Sequence, residues 1–316
     1  MPTWDPLDEP PYWKNVMDTY PWSREFWTGD GKSVKEGIKG CTDGVLADKA
    51  LQFIQRAKNN DTPFLCVIWF YTPHRPVVAG EKYRNMYKDL PEGQQHYYGA
   101  LTAMDEQVGR LRSELRKKGL AEDTMLWFCS DNGPSKNGSK SHPHSFGSTK
   151  GLRGGKGNIY EGGVRVPGIL EWPGKIQGGQ ISNYPCVTSD FLPTILSAVG
   201  GDISKIPQPL DGVNLMDAIQ RKTKIREKPI CFEGTPAHWY SLIDNNYKLI
   251  EVGDSNFMFK EEPREPKIYE LYNLEEDPSE TTNLVEKNPK VFKELRDKLD
   301  EWKESCQQSA QGCDYK

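Results

Sequence analysis

The stretch GSTKGLRGGKGNIYEGGVRVPGILEW, residues 147–172, decides how this chain of 316 residues is read. Six glycines stand between Ser148 and Val164, Lys156 is set between Gly155 and Gly157, and Glu161-Gly162-Gly163 leads to Arg165 before the sequence turns apolar. Glycine carries no Cβ and tolerates positive φ, so a cluster of them lets backbone approach another group closely. Most lysines are simply exposed. One framed by glycines can also be presented to a ligand, and the flanking chain decides between the two readings.

Working outward, two short apolar runs precede the glycine stretch. FLCVIWFY, residues 64–71, reads as a strand buried on both faces of a helix-covered sheet. It runs into Thr72-Pro73-His74-Arg75-Pro76, where two prolines stiffen the loop around a histidine. TMLWFC, residues 124–129, is a second such strand and ends in Ser130-Asp131-Asn132-Gly133-Pro134. Ligands of open α/β sheets sit beyond the carboxyl ends of the strands, so His74, Asp131 and Asn132 are candidate site residues. Asp131 and Asn132 side by side offer oxygen donors suited to a hard cation such as calcium, although Asp-Asn-Gly-Pro is also a good turn. Helical spacing predicts helices over residues 43–58 and over 94–118, the second with Tyr97, Leu101, Met104, Val108, Leu111 and Leu115 as its core stripe. A third strand is expected over 164–172 and a helix over 190–199. Residues 135–148 read as a polar loop with His142 and His144, which suit either a substrate contact or a loop at the rim. After Lys228 the segments PICFEG, HWYSLI, YKLIEV and KIYELYNL predict a small antiparallel sheet, and Asn288-Pro289 opens a closing helix with Val291, Phe292, Leu295, Leu299 and Trp302 on one face.

Four stretches in order carry a family resemblance: TPHRPV from Thr72, SDNGP from Ser130, LRGGKGNIYEGGVRVP from Leu152 and LYNLEEDPSETTNL from Leu271. The third resembles the second signature of the type I sulfatases of the alkaline-phosphatase-like superfamily. The resemblance implies an alkaline-phosphatase-like α/β fold, a mostly parallel sheet between helices that is incomplete here, followed by a small C-terminal antiparallel sheet with a closing helix. Its expected division is 1–215, a partial catalytic domain, and 216–316, a C-terminal subdomain. It implies sulfuric ester hydrolysis of an arylsulfatase-like kind, with His74 and Lys156 contacting the sulfate and serving catalysis, Asp131 and Asn132 as calcium ligands, and all four lining one pocket. Glu161 and Arg165 are expected to form an ion pair that fixes the loop. The implied substrate is a sulfated small molecule or glycan.

The departure from the pattern is at the nucleophile. Sulfatases use a formylglycine made from Cys or Ser in a Cys/Ser-x-Pro/Ala-x-Arg motif, and none of the seven cysteines here is followed by it. The expectation is therefore the C-terminal two thirds of a sulfatase, starting at an internal methionine, without nucleophile, without half of the metal ligands and inactive as it stands. A truncated or pseudo-sulfatase acting by binding is the non-enzymatic alternative. A phosphatase or phosphodiesterase of the same superfamily is the other, and would need more histidine and aspartate ligands than five histidines readily supply.

Composition bounds the rest. Net charge is -4, which gives no basic patch for nucleic acid, and mean hydropathy is -0.73 with no run long enough for a transmembrane segment. The N-terminus lacks the pattern of a signal peptide, whereas members of the resembled family are usually lysosomal, secreted or periplasmic. Seven cysteines with no C-x-x-C spacing give neither a disulfide framework nor a zinc site; Cys66 and Cys129 read as buried thiols, and Cys306 and Cys313 are placed to pair. The sequons at Asn60 and Asn137 carry little weight without a secretory context.

Overall fold

The computed structural model describes residues 26–34, 40–135, 144–206, 209–234, 239–252 and 267–314, with the backbone alone at Trp4–Asp5. The sequon at Asn137, His142 and most of the 135–148 loop lie outside these residues. The chain divides into two compact units: Met1–Met125 with Ser135–Ser148, and Leu126–Pro134 with Thr149–Lys316. No described helix is long and apolar enough to cross a membrane.

In the first unit two helices form where the spacing predicts them, α1 (Thr42–Asn59) and α2 (Glu92–Lys117). Asp43, Ala47, Ala50, Ile54 and Ala57 make the buried stripe of α1 at alternating steps of four and three residues. On α2 the buried stripe passes through His96, Ala100, Ala103, Gln107, Leu111 and Leu115, so Leu101, Met104 and Val108 flank the buried line. Small residues take the centre because the chain comes close there. A Cβ added at Gly99 would stand 2.9 Å from Ala79 Cβ. Val77, Ala79, Tyr83, Tyr97, Ala100 and Ala103 form the resulting core, with Phe146 against it.

Residues 63–71 correct one expectation. The segment alternates: Cys66, Ile68 and Phe70 pack on Ala47, Ala50 and Leu111, while Leu65, Val67 and Trp69 are 67, 66 and 86% exposed. Its backbone from 63 to 70 makes no hydrogen bond among the described residues. A continuous apolar run predicts burial on both faces, but with no ladder partner among the described residues only the side that meets the helices is covered.

The second unit holds β1 (Leu126–Cys129) paired antiparallel with β2 (Gly168–Glu171), with Leu126 opposite Glu171 and Cys129 opposite Gly168. Among the described residues no ladder is parallel, so the parallel part of the expected sheet is not seen here. Helix α3 (Phe191–Ala198) sets the Phe191 ring 4.5 Å from Trp127. The C-terminal segments fold as predicted into a four-stranded antiparallel meander, β3 (Ile230–Gly234), β4 (Trp239–Asp244), β5 (Tyr247–Val252) and β6 (Ile268–Asn273), in sequential order. Asn245, at φ +51, and Asn246 make the two-residue turn between β4 and β5, a conformation that asparagine tolerates. The closing helix α4 (Pro289–Ala310) starts with proline in its first turn and buries Leu295 and Leu299 on Leu242, Leu249 and Leu271. On the other face of the meander Ile230, Ile243, Ile250 and Tyr272 pack against Ile159 and Tyr160. The end of the glycine stretch is thus part of the core of the C-terminal sheet. All seven cysteines are free thiols, Cys306 and Cys313 included, and Cys66 and Cys129 are half-buried.

Candidate functional site

β1 delivers its last residue, Cys129, directly into the Ser130–Pro134 turn. Ser130 Oγ donates to Asn132 O at 3.0 Å and Asn132 Nδ2 to Gly133 O at 2.8 Å, so the Asn132 amide nitrogen is engaged within the turn. Asp131 is exposed and its carboxylate meets no hydrogen-bond or ionic partner among the described residues. The following glycine is required by contact: a Cβ at Gly133 would fall 1.9 Å from Gly162 O. In place of a side chain there is a backbone bond, Gly133 N to Gly163 O at 2.7 Å.

The glycine stretch closes on itself and on that turn. Lys156 N donates to Pro134 O at 3.0 Å, Gly162 N to Arg153 O at 2.7 Å and Asn158 N to Gly155 O at 3.0 Å. Asp131, Asn132 and Lys156, up to 25 residues apart in sequence, therefore belong to two loops stitched together by backbone bonds. The Lys156 ammonium is exposed and makes no hydrogen bond or ion pair with a described residue.

Two charge networks hold the stretch from behind. The Arg153 guanidinium lies 3.8 Å over the Tyr160 ring and donates to Glu270 Oε2 at 3.1 Å and Tyr272 Oη at 2.9 Å. Burial, and then the Glu270 charge, push the phenols of Tyr160 and Tyr272 well above the usual tyrosine range, so both stay protonated and donate to Glu270. The expected Glu161–Arg165 pair is present, Nε to Oε2 at 2.6 Å. Glu161 is itself buried, and its other oxygen accepts from Lys248 Nζ at 3.0 Å. Neither Lys248 nor Glu280, which stands 2.9 Å from the same ammonium, was picked out by sequence reading. A lysine among YKLIEV was the one available signal.

His74 lies in the first unit, in the loop bounded by cis peptide bonds before Pro73 and Pro76. Its Nδ1 is 2.9 Å from Arg75 O and 3.0 Å from Tyr71 Oη. Facing a carbonyl, Nδ1 carries a proton, so Nε2 is the atom at which this ring gains or loses one. The loop is tied to α1 by Tyr71 N donating to Asp43 Oδ1 at 3.0 Å. Asp43 is fully buried, and burial raises its carboxyl above the usual range against the hydrogen bond from Tyr71 N. His144 is a packed residue: its Nδ1 meets Val77 O at 2.8 Å, and its ring stacks on His96 at 4.5 Å.

The donors present suit calcium in kind, since the Asp131 carboxylate and the Asn132 amide oxygen are both hard oxygen ligands. They are fewer than the six to eight such an ion takes, and among the described residues no group of three or more His, Cys, Asp or Glu side chains stands together.

Comparison with known proteins places the chain among the sulfatases. The family model described as Sulfatase matches residues 2–201, and that described as N-sulphoglucosamine sulphohydrolase, C-terminal, matches residues 155–305. The human steryl-sulfatase is 35% identical over 190 residues, covering 59% of this chain and 31% of that protein. The uncharacterized sulfatase YdeN of Escherichia coli is 28% identical over 304 residues, covering 85% of this chain and 51% of that protein. The chain thus spans from about a third to about half the length of these relatives. A crystal structure of Ps i-CgsB in complex with k-i-k-neocarrahexaose superposes with a TM-score of 0.76 at 24% identity, over 95% of this chain and 63% of that one.

Proposed function

Because this chain belongs to the sulfatase family, we propose that it carries the sulfate-binding half of a sulfuric ester hydrolase site. Lys156 and His74 are each proposed as cationic or hydrogen-bonding donors to sulfate oxygens, with Asp131 and Asn132 as part of a calcium shell. Cleavage of a sulfate ester resembles phosphoryl transfer in that positioning and charge stabilisation do most of the work, and these groups are of the kinds that do it. The observation that carries the reading is the pair of backbone bonds from Gly133 to Gly163 and from Lys156 to Pro134, which keep the lysine loop beside the acidic turn. Calcium, when bound by the Asp131 and Asn132 oxygens, supplies positive charge against the sulfate. Lys156 supplies the same from the protein, and His74 Nε2 holds the proton that a leaving oxygen takes up. The substrate is proposed to be a sulfated small molecule or glycan. Residues 1–215 are proposed to carry the chemistry, and 216–316 to be the C-terminal subdomain that follows in the chain.

We further propose that this polypeptide does not turn over sulfate esters at an enzyme-like rate alone. Charge stabilisers act on a nucleophile, and no cysteine or serine here carries the formylglycine motif. The test is aryl sulfate hydrolysis by residues 1–316 with calcium, beside a version extended upstream with a Cys-x-Pro-Ser-Arg segment. The long form is expected to be active and the short form not; equal activity overturns the reading of the nucleophile. In the active form Lys156→Ala is expected to cost about 3 kcal/mol in kcat/KM, the order of one lost oxyanion donor. An unchanged value would return Lys156 to the status of a loop residue.

A further inference from the structure

Lys248 has no solvent exposure, on a strand whose neighbours Leu249 and Ile250 are equally buried. A buried ammonium is retained only where it is paired. Its partners are Glu161 Oε1 at 3.0 Å and Glu280 Oε1 at 2.9 Å, the second an ion pair outside hydrogen-bond alignment. Glu280 Oε2 also accepts the backbone N–H of Glu161 at 2.7 Å. Arg165 completes the group on Glu161 Oε2, so two cations meet two carboxylates. Glu280 is held at φ +57, a left-handed conformation uncommon for residues with a side chain and kept where surrounding contacts over-determine it.

A continuous series of contacts leads from this group to Lys156. Glu280 and Lys248 fix Glu161. Glu161 precedes Gly162 and Gly163, and Gly162 N is bonded to Arg153 O while Gly163 O accepts from Gly133 N. Gly133 is followed by Pro134, whose carbonyl accepts from Lys156 N. Close packing leaves no slack in the series, since a Cβ at Gly163 would fall 2.0 Å from Asn158 O. The Lys156 side chain has no described partner of its own, so its place is set by this backbone.

We propose that Lys248 and Glu280 are positioning residues for Lys156 and for the Asp131-Asn132 turn: the C-terminal sheet braces both loops through Glu161 without touching the sulfate. The proposal rests on the reading of Lys156 as the sulfate donor, and extends it to residues of β5 and of the turn after β6. A brace of this kind acts by preorganisation, which loosening weakens even where every contacting side chain is kept.

The test uses residues 1–316 as wild type, Glu280→Ala, Glu280→Gln and Lys156→Ala, with two measurements. The first is amide hydrogen exchange of peptides covering 126–134 and 152–165, read over minutes beside peptides from the meander. Glu280→Ala is expected to speed exchange in both loop peptides by about tenfold or more while the meander stays protected over the same minutes, because strand amides exchange through wider opening. Glu280→Gln, which retains an oxygen for the Glu161 N–H, is expected to restore much of the loop protection. The second measurement is the affinity for inorganic sulfate with calcium present, expected to fall about tenfold in Glu280→Ala and to recover in part in Glu280→Gln. Unchanged loop exchange in a folded Glu280→Ala overturns the proposal. So does equal acceleration in loops and meander for both Glu280 variants, which would make the group a support of overall stability. If wild type and Lys156→Ala bind sulfate equally, the functional reading fails, while loop exchange still decides the brace.

Discussion

The loop around His74 and the loop around Lys156 are held by different physics. The first carries constraints of its own: two prolines limit it, Tyr71 Oη donates to Arg75 O at 2.7 Å, and His74 Nδ1 meets partners one and three residues away. A long-range tie runs from Tyr71 N to Asp43 Oδ1 on α1. The second loop is held from far along the chain, by Lys248 at a separation of 87 residues, and by Glu270 and Glu280 at 117 and 119. A short loop that carries its own constraints keeps its shape wherever its ends are fixed. The glycine-rich loop has local bonds as well, Gly162 N to Arg153 O and Asn158 N to Gly155 O, but its shape also depends on what it packs on.

The widest break in this comparison comes from removing the distant support. Lys248→Ala leaves Glu161 and Glu280 in the interior, with Arg165 on Glu161 as the one cation left to the pair among the described residues. The expected loss is about 4 kcal/mol, in the range for a buried pair that loses one partner. Urea unfolding followed by far-UV circular dichroism, with amide exchange of the meander peptides assigning the transition to the second unit, measures it. A loss under about 1 kcal/mol would mean that the carboxylates rearrange to reach solvent, and that the long-range support is slack.

The difference also shows how much was legible. The self-contained parts were: helices α1 and α2, the hairpin meander, the closing helix, the Asp131-Asn132 turn, and Glu161 with Arg165 at a spacing of four. Residues 63–71 were misread because an apolar run reports hydrophobicity, not whether a neighbouring strand exists to cover it. Lys248 was missed because an alternating strand with one lysine reads as half-exposed. Only the carboxylates brought beside it by the fold make an inward lysine tolerable, and nothing local in YKLIEV announces them. The same holds for Asp43, whose partner Tyr71 lies 28 residues on.

The next effect separates the units by pH. His96 in the first unit is buried, accepts a hydrogen bond from Ala79 N at Nδ1, and faces His144 in the stack, with Arg84 and Glu92 nearby. Burial, then the neighbouring His144 and Arg84, lower its pKa from 6.5 to about 4. The depressed value means that the unfolded chain takes up the proton first as pH falls. The stabilisation is thus complete above pH 6.5 and is lost between there and about 4, a change of about 3 kcal/mol at 1.36 kcal/mol per unit. Urea midpoints at pH 7 and 4.5 are expected to fall accordingly, and His96→Gln to flatten the dependence. A wild-type midpoint that does not move across this interval would mean that the His96–His144 stack opens to solvent.

The smallest effect tests whether glycines mean the same thing in both units. In the second unit Gly133 of the acidic turn and Gly163 of the lysine loop are there because another backbone occupies the space of a side chain. On α2 two glycines can be compared within one helix. A Cβ at Gly109 would meet nothing within 4 Å, whereas one at Gly99 would press on Ala79 Cβ at 2.9 Å and on the Tyr83 backbone at 3.2 Å. Gly109→Ala therefore recovers helix propensity without a contact cost and is expected to raise stability by about 1 kcal/mol. Gly99→Ala gains the same propensity and loses more to the clash, so its net change should be destabilising, by roughly 1–2 kcal/mol on the scale of core overpacking. Opposite signs from two identical substitutions on one helix would show that close approach is not confined to the lysine loop. A gain at both positions would show that the first unit yields where the glycine loop cannot.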